Sequence, residues 1–459
     1  MHSRPDIEFR EKKMDNRTKA DASLMELATI VTTDLCGITR GRSFAASELD
    51  SYLRKGVGWV PANLALTPFD EIAGDNPWGS KGDLRLMPDA ESRVRVSCLP
   101  DETPLHFYHA DITHLDGSPW DCCVRTFLKE TIEAYEREAG LRVVSAVEQE
   151  FQIVGADWPD APAFGLRAQR RTGAFPSLLM QALEEAGAEP EMFLPEYGKD
   201  QFEITCRPAP VLVAADRGAT IRAVTREVAA SFGWHASFAP KISADGVGNG
   251  VHLHVSFTDL DGNPVTFDPD RPGRLSKIAG SFAAGVIKHL PALVAFTAPS
   301  VLSYLRLVPH HWSAAYTCLG EKNREATLRI CPTLDLPGSN PARQFNMEFR
   351  AADGCASPHL SLAVLLRAGL EGIRAELEQP PLTNSDPADM TDAERERLGI
   401  RRLPASLEEA LEALQQDTTV TGWFSKDFID CYLAMKRKEI SIVSGHTPDE
   451  LCNRYAAVY

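Results

Sequence analysis

The chain has 459 residues, with 48 Lys+Arg against 64 Asp+Glu and a formal net charge of −16. That length is more than one hydrophobic core usually serves, so at least two domains are expected, and a 44% hydrophobic, 24% charged composition excludes disorder of the whole chain. The acidic balance argues against a nucleic-acid or membrane partner while leaving room for a local basic pocket.

Residues 1–22 are rich in charge, carry no apolar signal core, and read as a flexible tail. Ten cysteines include no Cys-x-x-Cys pair, and the neighbours Cys122 and Cys123 cannot readily bridge each other. Reduced thiols in a cytoplasmic protein are therefore expected. No apolar run approaches the roughly 20 residues that cross a bilayer.

From residue 24, β-branched residues around a turn at Gly37 predict a small sheet, followed by a long Pro/Gly/Asp-rich loop over 67–89. A second strand-rich region spans 94–112, and a boundary near Pro119 divides a domain of residues 23–118 from one of 119–459. Beyond it, helical spacing predicts helices over 127–140 (capped by Gly140), 177–186, 213–232, 275–288 and 360–377. A polar stretch, 379–404, reads as a surface excursion, and shorter helices follow at 407–415, 426–438 and 448–455.

Between these helices lie five short strands, each with one polar face. Glu148, Glu150 and Gln152 alternate with Val147, Phe151 and Ile153, and Gln201, Glu203 and Thr205 with Phe202 and Ile204. His252, His254 and Ser256 oppose Val251, Leu253 and Val255; Thr327 and Arg329 oppose Leu328 and Ile330; Glu348 and Arg350 oppose Met347 and Phe349. A solvated face draws mainly on Lys, Thr, Ser and Asn, whereas these faces are built from Glu, His, Gln and Arg. Carboxylates with a histidine suit divalent cations, and several arginines suit phosphates and carboxylates, so one sheet is expected to bind a metal–nucleotide and an anionic substrate.

Seven motifs occur in an order that resembles the glutamine synthetase superfamily: Glu148-Gln-Glu150; Glu196-Tyr-Gly-Lys-Asp-Gln-Phe-Glu203; Gly250-Val-His252-Leu-His254-Val-Ser256; Arg306-Leu-Val-Pro309; Asn323-Arg324-Glu-Ala-Thr-Leu-Arg329; Glu348-Phe-Arg350-Ala-Ala-Asp353; and Ala368-Gly-Leu-Glu-Gly-Ile373. The resemblance implies an α+β fold, with a small N-terminal β-grasp domain and a larger catalytic domain built on an antiparallel sheet. It also implies a homo-oligomer, typically a dodecamer of two hexameric rings with active sites between subunits. By the same resemblance, Glu150, Glu196 and Glu203 hold a Mg²⁺ or Mn²⁺ ion near the acyl substrate, and Glu148, His252 and Glu348 hold one under the ATP phosphates. His254 and Ser256 are implied nucleotide contacts, while Gly248, Gly250 and Arg306 are implied on the glutamate side. Arg324, Arg329 and Arg350, with Arg306, are the implied catalytic arginines.

Two departures bear on the nucleophile. Family members that use ammonia carry an Asp-Gly-Ser-Ser loop and a Glu three residues after the Pro of Arg-Leu-Val-Pro-Gly. Here the second segment reads Arg306-Leu-Val-Pro309-His-His-Trp312, and the N-terminal loop ending at Asp70 has no such motif. An aromatic flap removes an ammonium site and offers an apolar or cation–π surface, which resembles the γ-glutamylpolyamine synthetase branch. The expected activity is ATP-dependent amide formation between glutamate and an amine. The alternatives are ammonia-dependent glutamine synthesis and a non-catalytic ring scaffold or sensor. Smaller departures are Lys199-Asp200, Val247 near Asn249, and Ser357-Pro-His359; the tyrosines 432, 455 and 459 lie outside the motif that bacterial relatives adenylylate.

Overall fold

The computed structural model describes residues 24–459 except Asp101 and Asp335, so the tail expected over 1–22 lies outside the described residues. The first segments form a five-stranded sheet whose central strands β1 and β5 are buried along most of their length: β1 (Leu27–Thr33), β2 (Thr39–Ala45), β3 (Val57–Trp59), β4 (Leu84–Val96) and β5 (Leu105–Thr113), in the order β2-β1-β5-β4-β3. The central β1–β5 pair is parallel and the rest are antiparallel. The loop expected over 67–89 ends earlier than the sequence implied, because β4 already begins at Leu84. Pro88 hides that strand start from a propensity reading, and the register shift between Pro88 and Arg93 is what accommodates it.

The second sheet is larger. It contains β6 (Leu141–Val154), β7 (Pro190–Pro195), β8 (Gln201–Cys206), β11 (Val251–Asp259), β12 (Leu319–Glu321), β13 (Leu328–Ile330) and β14 (Met347–Phe349), ordered β12-β13-β14-β11-β6-β8-β7. The short β9 (Ala209–Pro210) and β10 (His235–Ser237) also pair with β6. All five strands read from the sequence belong to this sheet, and the α+β expectation holds. Its one parallel pairing, β12 with β13, makes it mixed rather than wholly antiparallel.

Helices cover the apolar face: α1 (Val124–Ala134), α2 (Phe175–Glu185), α3 (Val211–Ser231), α4 (Lys277–Thr297) and α5 (Pro358–Arg374). After α1 a wider turn over Tyr135–Ala139 leads to Gly140, whose φ of 64° supplies the left-handed cap. Helix α4 corrects two expectations. It runs nine residues past 288, through Pro291, and at 21 residues is long and apolar enough to cross a membrane by composition. It lies mostly buried in the core instead, where Gly285 and Gly372 let α4 and α5 touch backbone to backbone: a Cβ on Gly285 would sit 2.1 Å from the Ala368 carbonyl oxygen. The stretch 379–404 is not a simple surface excursion either. Leu382 bridges to Leu319, Arg402 bridges to Tyr316, and Ile400 and Leu403 are buried, so its scattered apolar residues clamp it over the β12 edge.

One largely buried ionic network ties the small sheet to the helices that cover the large one. Arg125 of α1 donates to Asp89 of β4 (2.8 Å), Asp111 of β5 (3.0 Å) and Asp216 of α3 (2.9 Å). Asp216 also meets His359 of α5 at 2.8 Å, so the Ser-Pro-His departure places a histidine in this joint. His109 of β5 contacts Thr220 across the same boundary. Removing one partner of a buried cluster leaves uncompensated charge, so Arg125→Met should cost roughly 3–5 kcal/mol, read as a lower urea midpoint. Burial holds His109 neutral, with a pKa down at about 4. The unfolded chain takes up that proton first, so stability should fall as pH drops from about 6.5 to 4. A flat urea midpoint across that range would count against this assignment.

Candidate functional site

Register puts the polar faces of the large sheet side by side. Glu148 of β6 lies opposite His252 of β11, Glu150 opposite Glu203 of β8, and His254 opposite Glu348 of β14. Directly opposed side chains in antiparallel strands share a face within about 5 Å at Cβ, so three pairings create a compact acidic patch. Gln149, pointing the other way, is buried beneath it, donating to the Gly218 carbonyl oxygen and accepting from Arg222. That contact fixes β6 against α3.

Glu196 joins from the loop after β7. Every residue given a metal, nucleotide, substrate or catalytic role from the sequence, except Gly250 and Ser256, lines one cavity of about 460 Å³. Ser256 shares the His252 and His254 face one step further along β11. Gly250 instead gives clearance: a Cβ there would stand 2.5 Å from Arg306 Nη2 and 2.8 Å from His252 Nε2. Gly248 does the same for the Arg306 stem while also lining the cavity.

The donor set fits divalent cations. Ligand atoms of Glu148, His254 and Glu348 lie within 4.8 Å of one another, as do those of Glu148, Glu203 and His252. His254, expected as a nucleotide contact, thus stands among the ligand candidates: its Nε2 is 3.1 Å from Glu148, while its Nδ1 contacts Asn346 Oδ1 at 2.8 Å. Charge is divided unevenly within the cluster. Burial and the neighbouring Glu148, Glu150, Glu196 and Glu348 carboxylates push Glu203 up to about 9. Glu196 is raised by burial and by Glu150. Burial opposes charge on Glu348 too, but His252, Arg350, His254 and Arg329 outweigh it and hold the carboxyl at about 2. Against the same burial penalty, the pairing with Glu148 raises His254 well above an ordinary imidazole.

The arginines differ in how committed they are. All three nitrogens of Arg350 already donate within the protein, to Glu348, to the Arg324 carbonyl oxygen (3.1 Å) and to the Trp312 carbonyl oxygen (2.9 Å). Arg329 donates to Glu348 at 2.6 Å and has a buried Nε without a partner, and Arg324 is exposed at the cavity edge. Arg306 is anchored on the Ala352 and Arg350 carbonyl oxygens.

Trp312 sits on a strained flap. His310, Trp312 and Ala314 all have positive φ (63°, 52° and 65°), a conformation that costs non-glycine residues about 1–3 kcal/mol each. The Glu325 carboxylate accepts the Trp312 backbone N–H at 2.8 Å, and Arg350 holds the carbonyl, so the flap backbone is clamped from both sides. Sequence reading had quoted Glu325 without giving it a role, because only the fold brings it under the flap. It also passed over Lys241, Phe164 and Tyr197, which line the cavity. Lys241 lay close enough to the glycine-rich loop to be noticed; Phe164 lies in an irregular Pro/Ala-rich stretch without any periodic signal.

Comparison with known proteins agrees with this arrangement. The model of the glutamine synthetase catalytic domain matches residues 121–455, and that of the glutamine synthetase N-terminal domain matches residues 14–120. The gamma-glutamylpolyamine synthetase GlnA3 of Streptomyces coelicolor is 33% identical over 437 residues, 93% of this chain and 92% of that protein. The glutamine synthetase of Thermococcus kodakarensis is 38% identical over 325 residues, 68% of this chain and 70% of that protein. A crystal structure described as a novel glutamine synthase homolog superposes with a TM-score of 0.88 at 48% identity, covering 97% of this chain and 100% of that one.

Proposed function

This chain belongs to the glutamine synthetase family of ligases, which use ATP and divalent metals, and from that premise we propose that it joins the γ-carboxylate of glutamate to an organic amine rather than to ammonia. The observation that carries the reading is Trp312, clamped on the flap where an ammonia-using relative needs a carboxylate. Similarity to a gamma-glutamylpolyamine synthetase over nearly the whole chain supports it.

Glu150, Glu196 and Glu203 would hold the cation nearer the acyl substrate, and Glu148, His252 and Glu348 the one under the ATP phosphates; the ligand atoms that lie closest together, those of Glu148, Glu203 and His252 and those of Glu148, His254 and Glu348, straddle the two sets. When bound, such cations neutralise the charge that builds on a transferred phosphoryl group. Arg306 clamps the glutamate α-carboxylate. Arg324 and Arg329, with donors to spare, meet the phosphoryl oxygens, while Arg350 orients Glu348 and the flap. A carboxylate is a poor electrophile, so its γ-oxygen takes the phosphoryl group from ATP and ADP leaves; the amine, once it has given up its ammonium proton, attacks the acyl carbon, expels inorganic phosphate and loses a second proton as the amide forms. His254 and Ser256 meet the nucleotide side, with His254 shared toward Glu148. The functional unit is a ring, most simply two hexamers, in which a neighbouring subunit completes the cavity.

Ammonium is small and strongly hydrated, and its capture needs an anionic pocket and a nearby base. An organic amine has the same proton to lose, but it gains binding from its carbon skeleton. The expected result is a kcat/KM at least about 100-fold higher for some primary amine than for ammonia, measured by ADP release with glutamate and ATP. Similarity to a glutamine synthetase makes ammonia the necessary control. Efficient glutamine formation at millimolar ammonia, with no amine competing, would defeat the reading, and no ADP release with any nucleophile would favour a scaffold.

A further inference from the structure

Three large aromatic side chains stand exposed together at the mouth of the cavity. Phe164 comes from the loop after β6, Tyr197 from the loop between β7 and β8, and Trp312 from the flap, with 58%, 58% and 54% of their surfaces exposed. The Tyr197 ring lies 6.5 Å from Phe164 and 6.0 Å from Trp312, so the three form a continuous arc, and all of them line the cavity. Exposed aromatic rings grouped at a cavity rim mark a surface awaiting an apolar occupant. Tyr197 directly follows Glu196, which places the arc on the acyl-substrate side, where the attacking nitrogen must arrive.

Charge narrows the occupant further. Of the carboxylates lining the cavity among the described residues, Glu148, Glu203 and Glu348 have ligand atoms gathered with His252 or His254, and Glu150 and Glu196 join the same cation-facing cluster on the reading above. The remaining charged lining is basic: Lys241, Arg306, Arg324, Arg329 and Arg350. Asp160, in the adjoining pocket, is balanced by Lys199 at 3.8 Å. A second ammonium group on the substrate would find no carboxylate of this subunit outside that cluster and would face its cations instead. Leu194, Val247 and Leu305, also lining the cavity, favour a hydrocarbon body.

We propose that the Phe164–Tyr197–Trp312 arc is the amine-body subsite and selects monoamines with an apolar or aromatic carbon skeleton over polyamines. This rests on the amine-ligase reading above and departs from the polyamine named for the Streptomyces relative. The nitrogen is delivered to the acyl phosphate while the body lies against the rings. Each methylene buried there should raise kcat/KM about fourfold, the rate equivalent of ~0.8 kcal/mol.

The test uses the full chain with glutamate and Mg-ATP, reading ADP release. Ethylamine, butylamine, hexylamine and 2-phenylethylamine are compared with putrescine, spermidine and ammonia, and butylamine and putrescine differ chiefly by the second ammonium. Butylamine is expected to exceed putrescine at least tenfold in kcat/KM. Phe164→Ala and Tyr197→Ala, both at exposed positions, are expected to lower kcat/KM for 2-phenylethylamine at least five times more than for ethylamine, with KM for ATP and glutamate unmoved. Light scattering on both variants accompanies the kinetics. Amines that all lose equally, together with a changed assembly, would assign the arc to a subunit contact and overturn the proposal. Putrescine matching butylamine would overturn the selectivity while leaving amine ligation standing. Ammonia outperforming every amine would bring down the amine-ligase reading itself.

Discussion

Glu203→Gln is expected to abolish turnover, by at least about 10³-fold, while making the cation-free protein more stable rather than less. The carboxyl lies directly opposite Glu150 and is pushed up to about 9 by burial and four neighbouring carboxylates. A carboxyl group raised in this way contributes stability fully below its unfolded value of 4.5 and loses that contribution as pH rises toward 9. Glutamine keeps the shape of the protonated acid and cannot ionise, so at pH 8 the variant should gain roughly 1–3 kcal/mol over the cation-free wild type. Divalent cation reverses the order, because binding requires the charged carboxylate and expels the proton. Thermal melts at pH 5 and pH 8, with and without Mg²⁺ or Mn²⁺, separate the two effects, and titration calorimetry reads the lost cation directly. A variant that still binds the cation and turns over would remove Glu203 from the ligand set.

The second large effect belongs to Arg350, which joins a cation-facing carboxylate to the flap in one side chain. Arg350→Met leaves Glu348, almost fully buried, with Arg329 as its remaining guanidinium partner, and releases the Trp312 carbonyl. Breaking a buried, hydrogen-bonded pair costs about 3 kcal/mol or more, and kcat/KM should fall about 10²–10³-fold. Arg350→Lys keeps the charge and cannot reach three acceptors at once. It should therefore recover most of the stability while still raising KM for the amine more than KM for ATP. Equal changes in both constants would mean that Arg350 acts on the nucleotide and not through the flap.

Much of this site was legible in the sequence because strand alternation has a fixed period of two. Glu148 and Glu150, or His252 and His254, must share a face once the segment is a strand, and their residue types announce cation chemistry. Register was not legible: nothing local says that His254 meets Glu348 or that Glu150 meets Glu203. Helices were found wherever a single face was apolar. Helix α4 is apolar nearly all round and runs on through Pro291, a residue that normally ends a helix, so its full length does not show in the sequence. Three-residue strands such as β12 and β13 owe their form to neighbours rather than to their own composition. The aromatic arc was invisible for a similar reason, since Phe164, Tyr197 and Trp312 lie far apart in sequence and only the fold assembles them.

The division between ladder and loop has a consequence for how this protein can change. The cation-facing Glu148, Glu150, Glu203, His252 and Glu348 sit on paired strands, where a slip of one residue would turn every one of them into the core. The three rings stand on connections outside the strands, so exchanging them leaves the ladder in place. If the arc selects the amine as proposed, reaction chemistry and substrate choice are heritable separately. A library randomised at 164, 197 and 312 should then shift the preferred nucleophile while the strand-borne residues keep their register.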